Sequence, residues 1–180
     1  MKKLLLIVDP QYDFIDGTLK VNGAAHKMHD LAEKYIRQHA SDYLYTIITT
    51  DWHPWEHCSF SSNGGEWPIH CVQNTKGSAI YQELIEELNK NNMDYVVLRK
   101  GVDPDHEEYS IFSNHKSSNY LKNIIESKNI NQIDICGIAG NVCVINTLKD
   151  GVKEFGTKKF NVLLTAKILI ELFCSFLYKI

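Results

Sequence analysis

Reactive side chains cluster in a few places along this 180-residue sequence. Asp51-Trp-His53 opens a long segment that ends near Trp67-Pro-Ile-His70, with His57, Ser59 and Glu66 between them. Carboxylate and imidazole together suit zinc, manganese or ferrous iron, and a set without thiolates that leaves room for water is more typical of catalysis than of a structural site. Cys58 and Cys71 adjoin these histidines and raise a Cys/His structural zinc as an alternative, although their spacing fits neither a ribbon nor a finger. Taken alone, the pattern reads first as loop histidines with ordinary hydrogen bonds.

A second grouping is built around a thiol. Cys143 lies in the turn GIAGNVCV, where an apolar run gives way to an amphipathic one. At the start of a helix, the macrodipole and free backbone N–H groups favour thiolate and can hold an oxyanion. A buried, inert cysteine is the competing reading, and it suits Cys136 better. Asp9 and Lys100 each follow a separate apolar run: a carboxylate to manage the thiol's proton, and a cation to keep Asp9 and Cys143 ionised together. Each could equally be a solvated charge.

These side chains need elements to carry them to one place. Residues 4–8, 44–49, 95–98, 133–137 and 160–164 read as short buried strands rich in Ile, Val and Leu. Between them, 24–39, 78–91, 113–127 and 142–155 space apolar residues at helical intervals; Ser78 suits one N-cap, Ser113 or Asn114 another, and Gly156 a C-terminal cap. Alternating strands and helices predict a three-layer α/β/α sandwich with a mostly parallel sheet, since each parallel pair needs a crossover. Ligands in such sheets bind beyond the carboxyl ends of the strands. Asp9, Asp51 with His53, Lys100 and the 137–143 turn all fall there.

Composition sets the outer bounds. With 44% hydrophobic residues, 23% charged and a formal net charge of −3, the chain is neither disordered nor equipped with a basic face for nucleic acid. One domain over residues 1–180 is expected at this length. Five cysteines, an odd number, with no leader-like segment, predict a reducing, cytoplasmic setting. No run is long and apolar enough to predict a membrane span.

Taken jointly, VDPQYDF (8–14), TDWHPWEHCSF (50–60), EWPIHCV (66–72), RKG (99–101) and GIAGNVCVINTLKDG (137–151) resemble the motifs of the nicotinamidase/pyrazinamidase branch of the isochorismatase-like hydrolases, in order and spacing over roughly residues 3 to 165. The resemblance implies a metal-assisted amidase that releases ammonia from nicotinamide, or from the related pyrazinamide, in NAD salvage. It implies Cys143 as nucleophile, Asp9 as general base, Lys100 as their charge partner, and Asp51, His53 and His70 as ligands to one divalent metal, Zn, Fe or Mn. His57, Ser59 and Glu66 remain open as a fourth ligand. The backbone amides of Ala139 and Cys143 would form the oxyanion hole, after an Ile138-Ala139 bond that is often cis in the family. Phe14 and Trp67, with Tyr109 as a weaker match, would wall the substrate pocket, and a homo-oligomer is expected. Another amidase of the same superfamily acting on a different small amide, or a metal-binding homologue without turnover, are the alternatives.

The sequence departs from that pattern in two places. Asn141 stands where many members carry an acid. After Leu164 the chain reads TAKILIELFCSFLYKI instead of the family's acidic, serine-containing continuation, so residues 166–180 form an atypical tail whose apolar residues fall at helical spacing, and a truncated or frame-shifted end is left open.

Overall fold

The computed structural model describes residues 1–163, so the atypical tail lies outside the described residues. A parallel sheet of five strands forms the centre: β1 (Lys3–Val8), β2 (Tyr43–Asp51), β3 (Tyr95–Lys100), β4 (Gln132–Gly137) and β5 (Phe160–Val162), in the order β3-β2-β1-β4-β5. The central strand β1 explains the arrangement. Its run LLLIV is fully buried on both faces, as a strand covered on two sides must be. Alternate side chains separate cleanly: Leu5 and Ile7 join one hydrophobic core, while Leu4, Leu6 and Val8 join the other. Each such side chain contributes about 1.5–3 kcal/mol on burial.

Helices cover the two faces. On the Leu5 side lies α2, a continuous helical run made of Ala24–His29, a π-helical stretch Asp30–Ile36 and Arg37–His39. Its Met28, Leu31, Ala32 and Ile36 share that core with Leu84 and Leu88 of α3 (Gln82–Lys90). On the Leu4 side lie α4 (His115–Ser127), through Leu121 and Ile125, and α5 (Ile145–Phe155), through Leu148. This is the three-layer sandwich the sequence predicts. Asn114 is the N-cap of α4, accepting the Ser117 N–H at 3.1 Å, and Gly156 ends α5 at a φ of +83°. No helix among the described residues is long and apolar enough to cross a membrane.

One local expectation fails for a tertiary reason, and one short element goes unpredicted. Ser78 does not cap a helix: it lies in a turn that leads into an antiparallel bridge between Ile80 and Gln11, with Tyr12 N–H donating to Ala79 O and Tyr81 N–H to Pro10 O, and α3 starts only at Gln82. The four-residue α1 (Tyr12–Ile15) is too short to leave a periodic signal. The pairing matters to the site because Gln11, within it, hydrogen-bonds the backbone of Asp51.

The strand order reverses between β1 and β4, the point at which open parallel sheets leave a crevice. There β4 comes so close to β1 that a Cβ on Gly137, at a φ of +129°, would fall 2.1 Å from Val8 O; only glycine fits.

Candidate active site

Asp9, Asp51, His53, His70, Lys100 and Cys143 converge at the carboxyl end of the sheet beside this crevice. Lys100, the last residue of β3, is 1% exposed, and its ammonium touches three acidic groups. It pairs with Asp9 Oδ2 at 3.0 Å, hydrogen-bonds Asp51 Oδ1, and donates to Cys143 Sγ at 3.6 Å. Burial alone would discharge a lysine. Here Asp51 and Asp9 outweigh it and hold the Lys100 pKa well above its ordinary value. The same ammonium keeps Asp51 ionised below the usual carboxylate range despite burial.

Asp9 follows β1 in a left-handed conformation, φ +47°, rare for a non-glycine residue and fixed by its N–H to Thr49 O at 3.1 Å. Its Oδ1 accepts from the Thr49 hydroxyl at 2.7 Å. Its Oδ2 faces Lys100 as an ion pair but lacks a well-aligned hydrogen bond, so a lone pair stays open beside the thiol. Burial raises the Asp9 pKa, which strengthens the carboxylate as a base. Cys143 lies in a π-helical turn, Gly140–Val144, that leads into α5. Burial pushes its pKa well above the ordinary thiol value, against the pull of Lys100. Burial therefore works against the thiolate that a helix start favours and stabilises the thiol, with a base already at hand. Ala139 precedes the turn after a cis Ile138-Ala139 bond.

Next to this triad, the ligand atoms of Asp51, His53 and His70 lie within 4.8 Å of one another, all buried. His53 Nδ1 is 3.0 Å from Gly101 O and His70 Nδ1 is 2.7 Å from Pro68 O. Each carbonyl fixes the Nδ1–H tautomer and leaves Nε2 as a bare lone pair, the arrangement that metal-ligating histidines use. Burial also lowers the His70 pKa, favouring the neutral imidazole that a metal needs. The donor set fits a divalent metal. Among the described residues, neither Cys58 nor Cys71 belongs to a group that could hold one.

Among the described residues, none of the three candidates for a fourth ligand belongs to that group. His57 has both ring nitrogens engaged, Nδ1 with the Ser59 hydroxyl at 2.7 Å and Nε2 with His106 O at 3.2 Å. Burial, then His53, pulls its pKa down to about 4, and its ring lies 4.1 Å from that of His53. Ser59 is thereby occupied, and Glu66 is exposed.

A cavity of about 260 Å³ opens onto both groups. Phe14, Trp67 and Tyr109 line it as expected, with Trp67 Nε1 donating to Tyr109 Oη at 3.1 Å. Cys143, Asp51 and His70 reach its wall. Glu107 lines it too, with a carboxyl raised by burial and then by Asp51.

Some supporting residues went unread in the sequence although two sit inside a quoted motif. The buried Gln11 amide clamps the backbone of Asp51, donating to its O and accepting from its N–H, both at 2.7 Å, and also donates to Ser78 O at 3.0 Å. Asp13 accepts the Cys71 N–H at 2.7 Å and the Thr18 N–H at 3.2 Å, pinning the chain beside His70. Their presence in VDPQYDF, a polar pair directly after a buried strand, was the available signal.

Comparison with known proteins agrees with this geometry. The isochorismatase domain model matches residues 3–156. The nicotinamidase/pyrazinamidase of Mycobacterium tuberculosis is 30% identical over 171 residues, 92% of this chain and 87% of that one. Among solved structures, the pyrazinamidase of Pyrococcus horikoshii in complex with zinc superposes with a TM-score of 0.74 at 29% identity, over 91% of this chain and 99% of that one. PnC1 from L. infantum in complex with nicotinate gives 0.77 at 27% identity, over 99% and 89%.

Proposed function

The chain belongs to the isochorismatase-domain family, and from that premise we propose that it hydrolyses nicotinamide to nicotinate and ammonia. One observation carries the reading most: a buried thiol, an under-bonded carboxylate and a buried ammonium meet at the mouth of an aromatic-walled cavity. Flat walls from Phe14, Trp67 and Tyr109 suit a heteroaromatic ring.

The proton balance follows from the site. Asp9 takes the Cys143 proton as sulfur bonds to the carboxamide carbon, negative charge passes to the carboxamide oxygen, and the Lys100 ammonium balances the charge shared by Asp9 and Cys143 before attack. The backbone N–H groups of Ala139 and Cys143 are assigned to the oxyanion; loss of one such donor costs roughly 3–4 kcal/mol of barrier. The C–N bond then breaks as Asp9 returns its proton to the leaving nitrogen, releasing ammonia and a thioester. Water attacks the thioester with Asp9 again as base, the S–C bond breaks, and the thiol is restored with nicotinate. Asp51, His53 and His70 would hold the divalent metal, which when bound supplies a Lewis-acid contact that orients the substrate ring and water. Zinc is the leading metal, as in the Pyrococcus horikoshii complex, with iron and manganese as the alternatives.

The test is ammonia release from nicotinamide by the metal-loaded protein, with and without chelator. Release that a chelator abolishes and metal restores is expected. No release from the folded, loaded protein would overturn the proposal, and release from other small amides alone would move the substrate assignment.

A further inference from the structure

Directly after β3, Gly101 and the loop to Asn114 contain a buried carboxylate that does not face the cavity. Glu107 lines the cavity, whereas its neighbour Glu108 turns beneath the chain and is 9% exposed. Glu108 Oε2 accepts the Gly101 N–H at 2.6 Å, and Asn114 Nδ2 donates to both of its oxygens, at 3.1 and 3.3 Å. Gly101 is the residue whose carbonyl oxygen lies 3.0 Å from His53 Nδ1. Its backbone is left-handed, φ +63°, and a Cβ there would fall 2.5 Å from that same nitrogen. The position therefore cannot be held by packing a side chain against the imidazole. It must be held through the backbone.

We infer that Glu108 is a positioning residue for the metal site: it anchors the Gly101 peptide, whose carbonyl fixes the tautomer and ring orientation of His53. The relay runs from Asn114, the α4 N-cap, through Glu108 and Gly101 to the imidazole, and so couples a helix start to a proposed ligand. Groups behind a metal-ligating histidine tune affinity because a misaimed ring presents its lone pair poorly. The inference rests on the assignment of Asp51, His53 and His70 as ligands and is independent of the identity of the substrate.

The test is a zinc titration of the purified full chain against a chromophoric chelator, with the imidazole ¹⁵N–¹H signals of the metal-free protein as a second readout. Glu108→Ala should weaken zinc binding by roughly 10–100-fold and shift the His53 Nδ1–H signal. Glu108→Gln keeps an oxygen that accepts the Gly101 N–H and should stay close to wild type. Asn114→Ser keeps a capping oxygen but loses the donor to Glu108, and should fall between them. Wild-type affinity in folded Glu108→Ala, or a loss in Glu108→Gln as large as in Glu108→Ala, would overturn the inference. Should Glu108→Ala fail to fold, wild-type affinity in Asn114→Ser would overturn it. A wild-type chain that binds no metal would overturn the ligand assignment and this inference with it, whether or not nicotinamide is hydrolysed.

Discussion

Asp9, just after β1, and Asp134, in the neighbouring β4, are buried carboxylates toward opposite ends of the same sheet. Asp134 is surrounded by donors: Tyr43 Oη at 2.8 Å, Gln132 Nε2 at 2.5 Å, Asn161 Nδ2 at 2.9 Å, and Lys3 Nζ at 3.6 Å. Burial would raise its pKa, but the Asn161 and Tyr43 hydrogen bonds prevail and lower it. Asp9 has one oxygen satisfied and one left to an ion pair, and burial prevails. Two carboxylates hidden from solvent, Asp9 the more deeply buried, thus reach opposite outcomes. Full satisfaction locks a charge and stabilises the fold, while partial satisfaction leaves a base.

Variants at the two ends separate these roles. At the reactive end, Cys143→Ala should lower nicotinamide turnover by on the order of 10⁴-fold or more, as loss of a nucleophile does; activity surviving it would rule out the covalent route. Asp9→Asn should lower kcat by about 10²–10⁴-fold with little loss, or a gain, in unfolding free energy, because it removes a poorly solvated charge. A large drop in stability without one in kcat would put Asp9 in the same class as Asp134. Asp134→Asn should do the reverse: about 1–3 kcal/mol less stable in urea melts, with kcat unchanged.

The smallest effect is a pH dependence. Because the folded Asp134 pKa lies below its unfolded value of about 4, its stabilisation is present above that pH and is lost as pH falls through the folded pKa. Asp134→Asn should therefore flatten the acid limb of a stability–pH curve; an unchanged limb would assign the acid sensitivity to other carboxylates.

Much of this architecture is legible in the residues because it depends on local pattern. LLLIV announces a strand buried on both faces, and reactive residues after successive strands must meet at one rim. What escaped depends on distant partners. Ser78 carries a capping residue's chemistry, yet its carbonyl is claimed by Gln11 from 67 residues away. Burial raises the Cys143 pKa, and a turn motif does not encode burial. Gln11, Asp13 and Glu108 act on backbone groups, so no spacing between their side chains and the reactive ones marks them.

The ammonium of Lys100 has one more consequence, for folding fidelity. Lys100 is the register partner of Asp51 in the β2–β3 ladder, while Asp9 and Cys143 follow β1 and β4. A one-residue slip of β3 would turn Lys100 to the opposite face of the sheet and leave two interior carboxylates without a cation. Burying such unpaired charge is strongly unfavourable, so misaligned sheets are penalised by the same atoms that perform the chemistry. Activity in this chain should therefore report correct strand alignment as directly as it reports the presence of a thiol.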